Sequence, residues 1–254
     1  MHPIVITRVA ERQWHAVEDD RVVGRGDTLR RAGRILLSID SWQGAVFDQL
    51  ADAMLADLPR PLYTLVDEAD LDLTSRWHRA GFTTRRREWE YLVPTDPRAT
   101  GLGSVLPPEG VTIVPAGAAQ EDPLREVYTT IHDEVDATVG WATMPAEVPA
   151  LPNGTPPLDP SKYAVAVQAD RYVGLVRVTG RVTVRPRIGL LAVPSDHRRR
   201  GIARALLAHA LGSAHRSGVE AASTEVDESN GAAVALFEGV GARRASSNLE
   251  LVLR

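Results

Sequence analysis

The sequence contains no cysteine, so a disulfide framework, a thiolate nucleophile and a cysteine-based metal site are all excluded. Lysine is nearly absent as well: Lys162 is the only one, and arginine supplies the rest of the positive charge. With 33 acidic and 29 basic residues the net charge is -4, which gives no general field for nucleic acid. No apolar run approaches the roughly 20 residues of a membrane span. The opening MHPIVITRVAERQW has no apolar stretch of signal-peptide length. The expectation is a cytoplasmic chain with neither a membrane nor a nucleic-acid partner. No G-x-S-x-G turn occurs, so a serine hydrolase of that type is unsupported. What remains is 254 residues with 44% hydrophobic content, enough for one large core or two modest ones.

The most structured stretch is Ile188 to Ala210, IGLLAVPSDHRRRGIARALLAHA. Ile188, Leu190, Leu191 and Val193 make an apolar run of strand length that breaks at Pro194. After a basic turn, Ile202, Leu206, Leu207 and Ala210 show helical spacing. Strand, basic turn, glycine and helix is the pattern of a phosphate cradle. Gly201 lets backbone approach an anion, and the first amides of the following helix have no partners within it. Those amides, with the positive end of the helix dipole, favour a diphosphate.

Arg198-x-x-Gly201-x-Ala203 after a strand resembles the Q/R-x-x-G-x-G/A acyl-CoA signature of the GNAT acyltransferase superfamily. Downstream, VDESNGAAVALFEGVGA from Val226 resembles a later strand-helix segment of the same family, with Asn230, Ala233, Leu236, Phe237 and Gly241 at its steps. Two motifs in order, about thirty residues apart, are more specific than either alone. The resemblance implies that acetyl-CoA lies along Leu191, Ala192 and Val193 and across Arg198, Arg199, Arg200, Gly201, Ile202, Ala203 and Arg204, mostly on backbone N–H groups. Asn230 and Phe237 would meet the pantetheine arm. Many relatives have a tyrosine at the position of Phe237 to protonate the leaving thiolate, and a phenyl ring cannot do so.

Elsewhere the chain alternates between strand and helix. Ile4 to Thr7, Arg34 to Ile39, Leu62 to Val66 and Trp89 to Val93 read as strands. Ala45 to Leu58 and a segment from Leu71 to just before Gly81 read as helices. At a constant offset of 160 residues, Val66-Asp67-Glu68 overlies Val226-Asp227-Glu228, Trp77 overlies Phe237, and Gly81 overlies Gly241. This suggests an internal duplication. At the same offset Gly201 falls on Ser41, where Ile39-Asp40-Ser41-Trp42-Gln43-Gly44 has no arginine and an aspartate that would repel a diphosphate. Asp70 stands opposite Asn230.

The expected fold is therefore α/β, an α+β mixture of two tandem GNAT-like units, each a mixed, mostly antiparallel sheet flanked by helices. Residues 1–95 would be a degenerate unit without a cofactor site, 96–110 a proline- and glycine-rich linker, and 111–254 the catalytic unit. Within the latter, Val111 to Val114 reads as a strand, Asp122 to His132 as a helix, and Tyr163 to Gln168 with Tyr172 to Thr179 as a hairpin. Between them, Glu134 to Asp159 is irregular and rich in proline, and is a candidate substrate loop. Asn153-Gly154-Thr155 matches a glycosylation acceptor, read here as a turn.

An amine acceptor must lose a proton before it attacks a thioester, and a carboxylate acting through water is a common base. Glu225 is the nearest candidate in sequence, with Asp133, Glu134 and Asp136 as rivals. A metal at His132-Asp133-Glu134-x-Asp136 is not expected, because adjacent helical residues point apart. The function expected is transfer of an acetyl group from acetyl-CoA to a small-molecule or peptide amine, by a monomer (a pseudo-dimer) or homodimer. The alternative is a non-catalytic acyl-CoA-binding regulatory module.

Overall fold

The computed structural model describes residues 3–31, 33–138, 140, 158–180 and 185–254. Most of the proline-rich segment, including Asn153-Gly154-Thr155, lies outside the described residues. The chain divides into two compact units, Met1–Glu88 with Ser246–Arg254, and Trp89–Ala245.

The first unit opens with strands β1 (Val5–Ala10), β2 (Gln13–Glu18), β3 (Arg21–Arg31) and β4 (Arg34–Ser41), an antiparallel meander. Helix α1 (Gly44–Asp57), strand β5 (Leu62–Asp67), helix α2 (Leu71–Arg79) and the beginning of β6 (Thr83–Pro94) come next. The unit is completed by the end of β12 (Arg243–Leu253), which pairs antiparallel with β5 from Asn248↔Asp67 to Leu253↔Leu62. Its last residues put Leu249, Leu251 and Leu253 into the same core as Trp14, Phe47, Leu50, Met54 and Trp77.

Sequence reading missed β2 and β3, whose VVGRGD stretch looks like loop. Gly24 and Gly26 are there because α1 packs tightly on this strand. A Cβ at Gly24 would stand 2.6 Å from Val46 Cγ1, and one at Gly26 would stand 2.3 Å from Met54 Sδ. The glycines make room for the helix on this strand.

A buried charge also belongs to this unit. Glu250 is 2% exposed and accepts hydrogen bonds from Arg34, from Arg85 at 2.6 Å and from Arg86 at 3.2 Å. Burial pushes its carboxyl up, but the Arg34 hydrogen bond and the charge of Arg86 outweigh this and hold it below the ordinary carboxylate value. Glu68 takes both ends of the Arg87 guanidinium at 2.8 and 2.6 Å and the Ser247 hydroxyl at 2.6 Å, and these lower its pKa as well.

The second unit has the strand order β6, β11, β10, β9, β8, β7, comprising the end of β6, β7 (Val111–Val114), β8 (Tyr163–Gln168), β9 (Arg171–Thr179), β10 (Arg187–Ala192) and β11 (Ala221–Asp227). Its helices are α3 (Pro97–Thr100), α4 (Glu121–Asp136), α5 (Ile202–Arg216) and α6 (Gly231–Glu238). Strand alternation divides β8 between two cores. Ala164 and Ala166 join the core of α5 and α6, while Tyr163 and Val165 join Leu124, Tyr128 and Ile131 of α4.

Three boundaries differ from the sequence reading. Helix α4 runs on to Asp136, so Glu134 is helical. Residues 96–110 are part of the second unit: Asp96 caps α3 by accepting from Arg98 N at 2.8 Å, Pro97 sits at the helix start, and Leu102 is 4% exposed in the core. A proline at a first helical position is favourable, and composition alone read it as a linker. Finally, residues 246–254 join the first unit rather than the second.

The duplication extends to individual hydrogen bonds. Asp70 caps α2 by accepting from Leu73 N at 2.9 Å, and Asn230 caps α6 by accepting from Ala233 N at 3.1 Å. Asp67 accepts from Ala69 N at 2.9 Å as Asp227 does from Ser229 N at 2.8 Å. Both helices end alike, with Phe82 N donating to Trp77 O at 3.1 Å and Ala242 N to Phe237 O at 3.0 Å. The β2–β3 and β8–β9 turns match as well, through positive φ at Asp19 and Asp20 and at Ala169 and Asp170.

Candidate functional site

Strands β10 and β11 run parallel, but their only described ladder pair is Arg187↔Ser223. One step on, the Thr224 hydroxyl donates to Ile188 O at 2.9 Å. Beyond that point the two strands part, among the described residues, into a fork. Strand β10 stays bound to β9 on its other side, through a register shift between Ile188 and Leu190. One edge of Leu190, Leu191 and Ala192 therefore faces the opening without a strand partner.

The chain leaves β10 through residues 193–201. Ser195–His197 make a short 3-10 turn, and Arg199 and Gly201 take φ of 62° and 87°. The second value suits glycine, since a side chain there is strained. A Cβ added at Gly201 would have Pro108 Cγ as its nearest neighbour, at 3.7 Å, so the approach to the helix start is open. No side chain caps α5, and no acidic residue stands in its first turn. Its first amides thus have no side-chain acceptor among the described residues, as an anion site would require.

The arginines of the turn differ in what they do. Arg198, though exposed, folds back along the turn, with Nε donating to Val193 O at 2.9 Å and Nη2 to Glu134 Oε2 at 2.6 Å. Arg200 reaches Gln168 Oε1 at 3.3 Å and lies 3.2 Å from His197 Nδ1. Arg199 and Arg204 are exposed and have no side-chain partner among the described residues.

The four candidate bases are in different settings, and Glu134 is described below. Glu225 is on β11, at the wall of the fork, with its side chain 16% exposed and held by Arg187 at 2.6 Å. Asp133 and Asp136 lie at the end of α4, 74% and 50% exposed, within 3.5 and 3.6 Å of His132 Nδ1. Asn230 spends its carbonyl oxygen on the α6 cap. Phe237 is 4% exposed and stacks on Tyr91 at 6.4 Å between ring centroids, so its ring is part of the core. Tyr91 donates to Glu238 at 2.9 Å and accepts from Arg244 at 3.0 Å, and burial raises its pKa.

One functional side chain had only a minor place in the sequence reading. Glu134 accepts from Ser195 N at 2.8 Å, from Ser195 Oγ at 2.8 Å and from Arg198, which ties helix α4 to the turn. The available signal was the run of acids ending α4, which has no basic residue in its last turn. Among the described residues no cluster of three or more histidines or acids could hold a metal ion. None of the described helices is long and apolar enough to cross a membrane.

Residues 157–250 match the family described as Acetyltransferase (GNAT) domain. Across its length the chain is similar to a tandem GNAT protein from the clavulanic acid biosynthesis pathway, at 16% identity and a TM-score of 0.66, covering 95% of this chain and 82% of the other. The chain has the tandem GNAT fold. A GCN5-related N-acetyltransferase from Sphaerobacter thermophilus is similar at 18% identity and a TM-score of 0.64, covering 97% of this chain and 82% of that one. A glucosamine N-acetyltransferase region of a fungal multi-domain GH3 β-N-acetylglucosaminidase has a TM-score of 0.65 at 14% identity, covering 96% of this chain and 33% of that one. Among curated proteins no sequence match was found. The matched GNAT domain contains β8 to β11, the turn 193–201, α5 and α6, which are the elements that build the fork and the helix start.

Proposed function

We propose that the second unit binds acetyl-CoA and transfers its acetyl group to an amine. The observation that carries this reading is the fork between β10 and β11 standing next to a glycine-led, uncapped helix α5. An acyl-pantetheine arm is a thin, amide-bearing chain that can take hydrogen bonds from a free strand edge, and the edge at Leu191, Ala192 and Val193 offers them. The diphosphate would lie on the amides of residues 199–203, with Arg199 and Arg204 supplying charge. Arg198 and Arg200 would contribute mainly backbone, because their side chains are engaged elsewhere.

For the chemistry, a backbone N–H of Leu191 or Ala192 would polarise the thioester carbonyl as it gains negative charge. Glu225 is proposed as the base, acting through water on the amine. Of the four candidates it alone is on the fork wall, whereas Glu134 is engaged by Ser195 and Arg198, and Asp133 and Asp136 are largely exposed. Arg187 holds the Glu225 carboxylate in place at 2.6 Å. Phe237 provides no proton, so the thiolate would leave unaided or be protonated by water or by the ammonium of the acceptor. A CoA thiol is acidic enough for this.

Calorimetric titration with CoA, followed by thiol release from acetyl-CoA over a panel of amines, tests the proposal. CoA binding with amine-dependent thiol release is expected. Binding without release for any amine would favour an acyl-CoA-binding module, and failure to bind CoA would remove both readings.

A further inference from the structure

Helix α4 ends in Asp133, Glu134 and Asp136 with no basic residue in its last turn. The carboxyl end of a helix carries partial negative charge, so acids there are unfavourable to the helix itself. Asp133 and Asp136 approach His132. Glu134 instead reaches out of its helix to the turn after β10, over 61 residues of sequence to Ser195 and 64 to Arg198. There its two oxygens accept from Ser195 N at 2.8 and 3.1 Å, Ser195 Oγ at 2.8 Å and Arg198 Nη2 at 2.6 Å.

We infer that Glu134 is a positioning residue for the diphosphate turn, acting through Ser195 and Arg198. The inference rests on the acyl-CoA reading given above. Residues 193–201 are a long connection, and an anion site made of backbone amides works only if they already converge. Ser195 is pinned at the start of the turn by Glu134. Arg198 is pinned at its middle by Glu134 and by its own bond to Val193 O, at 2.9 Å. The brace holds 193–198 and leaves 199–203 to face the ligand. Arg198, the first residue of the signature, is on this account a strut between α4 and β10, and its positive charge is spent on Glu134 before any phosphate arrives.

The full chain is titrated with CoA and with acetylpantetheine, which lacks the diphosphate. Glu134→Ala is expected to weaken CoA about tenfold, the equivalent of one charge-assisted hydrogen bond, and to leave acetylpantetheine within about twofold. Glu134→Gln, which keeps an acceptor for Ser195 but loses the charge facing Arg198, falls between wild type and Glu134→Ala. Amide hydrogen exchange at 195–198 accelerates in the same order, a readout independent of activity. Equal weakening of both ligands would indicate a general role in folding and overturns the inference, as does unchanged CoA affinity whatever the exchange shows. If the wild-type chain does not bind CoA, the acyl-CoA reading itself falls. If it binds and Glu134→Ala binds equally well, only the brace falls.

Discussion

Thr64 and Thr224, separated by 160 residues, make the same bond in their respective units. Each donates its hydroxyl at 2.9 Å to a carbonyl of the neighbouring parallel strand, Leu37 O in one case and Ile188 O in the other. In the first unit β4 and β5 pair at Ile35↔Leu62 and Leu36↔Tyr63 and, among the described residues, no further. The fork is therefore duplicated, and the units differ in the connection from its first strand to the next helix. Between β4 and α1 lie only Trp42 and Gln43, whereas residues 193–201 separate β10 from α5. The structural counterpart of Gly201, the residue before the helix, is Gln43 rather than Ser41.

One molecule of CoA per chain is the expected stoichiometry, because the proposed diphosphate turn is the connection 193–201, whereas Trp42 and Gln43 alone join β4 to α1. Gly201→Glu should remove binding, since it puts bulk and negative charge at the helix start and requires a glutamate at a φ of 87°. Titration calorimetry on protein with unchanged circular dichroism checks both statements. A stoichiometry of two, or binding retained in Gly201→Glu, would place the cradle elsewhere.

Glu225→Gln should lower kcat/KM by about 10- to 100-fold, at the lower end of general-base effects because a water relay is only partly lost. In the wild type, kcat/KM should rise with pH until the acceptor amine is deprotonated. Phe237→Leu should have a smaller effect on rate and act through packing against Tyr91. The pH profiles of the variants decide. If Glu225→Gln is silent while Asp133→Asn or Asp136→Asn removes the pH-dependent limb, the base is at the end of α4.

Glu250 and Glu68 both have folded-state pKa values below the ordinary one, so each binds its proton less readily when folded. Their contribution to stability is then present above the unfolded value, about pH 4.3, and is lost as pH falls through the folded values. Glu250→Gln should cost about 3 kcal/mol at pH 7, the lower end for breaking a buried ion cluster from one side. Urea unfolding at several pH values should show this gap narrowing below about pH 4, as the wild-type carboxyl becomes neutral. A gap independent of pH would mean that packing, not charge, is what the substitution disturbs.

Deleting residues 246–254 should unfold the first unit, because it removes Leu249, Leu251 and Leu253 from the core and leaves β5 without its antiparallel neighbour. At about 1.5 to 3 kcal/mol for each buried leucine, the loss is comparable to the whole stability of a typical domain. Limited proteolysis of the truncated chain should cut within 1–88. Full protection of that region would show that the strand is dispensable.

Much of the second unit was legible because its signals are local. The strand ending at Val193, the glycine before α5 and the capping residue Asn230 each announce themselves within a few positions. The first unit was harder. Gly24 and Gly26 reflect helix packing and not a turn, and so hid β3 together with its partner β2. Pro97 looked like a break but starts a helix. The destination of Ser246–Arg254 was not legible at all. Its alternation identifies a strand, but the same pattern suits a place in either unit, and pairing is decided by three-dimensional edges. Glu134 was hidden for a related reason: its partners are far away in sequence, and an acid at a helix end ordinarily reads as solvated.

The order in which the chain is made gives the placement of its last strand another meaning. During synthesis, the N-terminal 88 residues emerge with β5 lacking its eventual antiparallel neighbour. That neighbour is in the segment Ser246–Arg254, made long after them. Until that segment leaves the ribosome, the growing polypeptide has an open strand edge, the feature through which nascent β-proteins stick to one another. Its emergence is thus also the moment at which the first unit can be closed. A ribosome stalled just short of Ser246 would leave a nearly full second unit and a first one still in need of a chaperone.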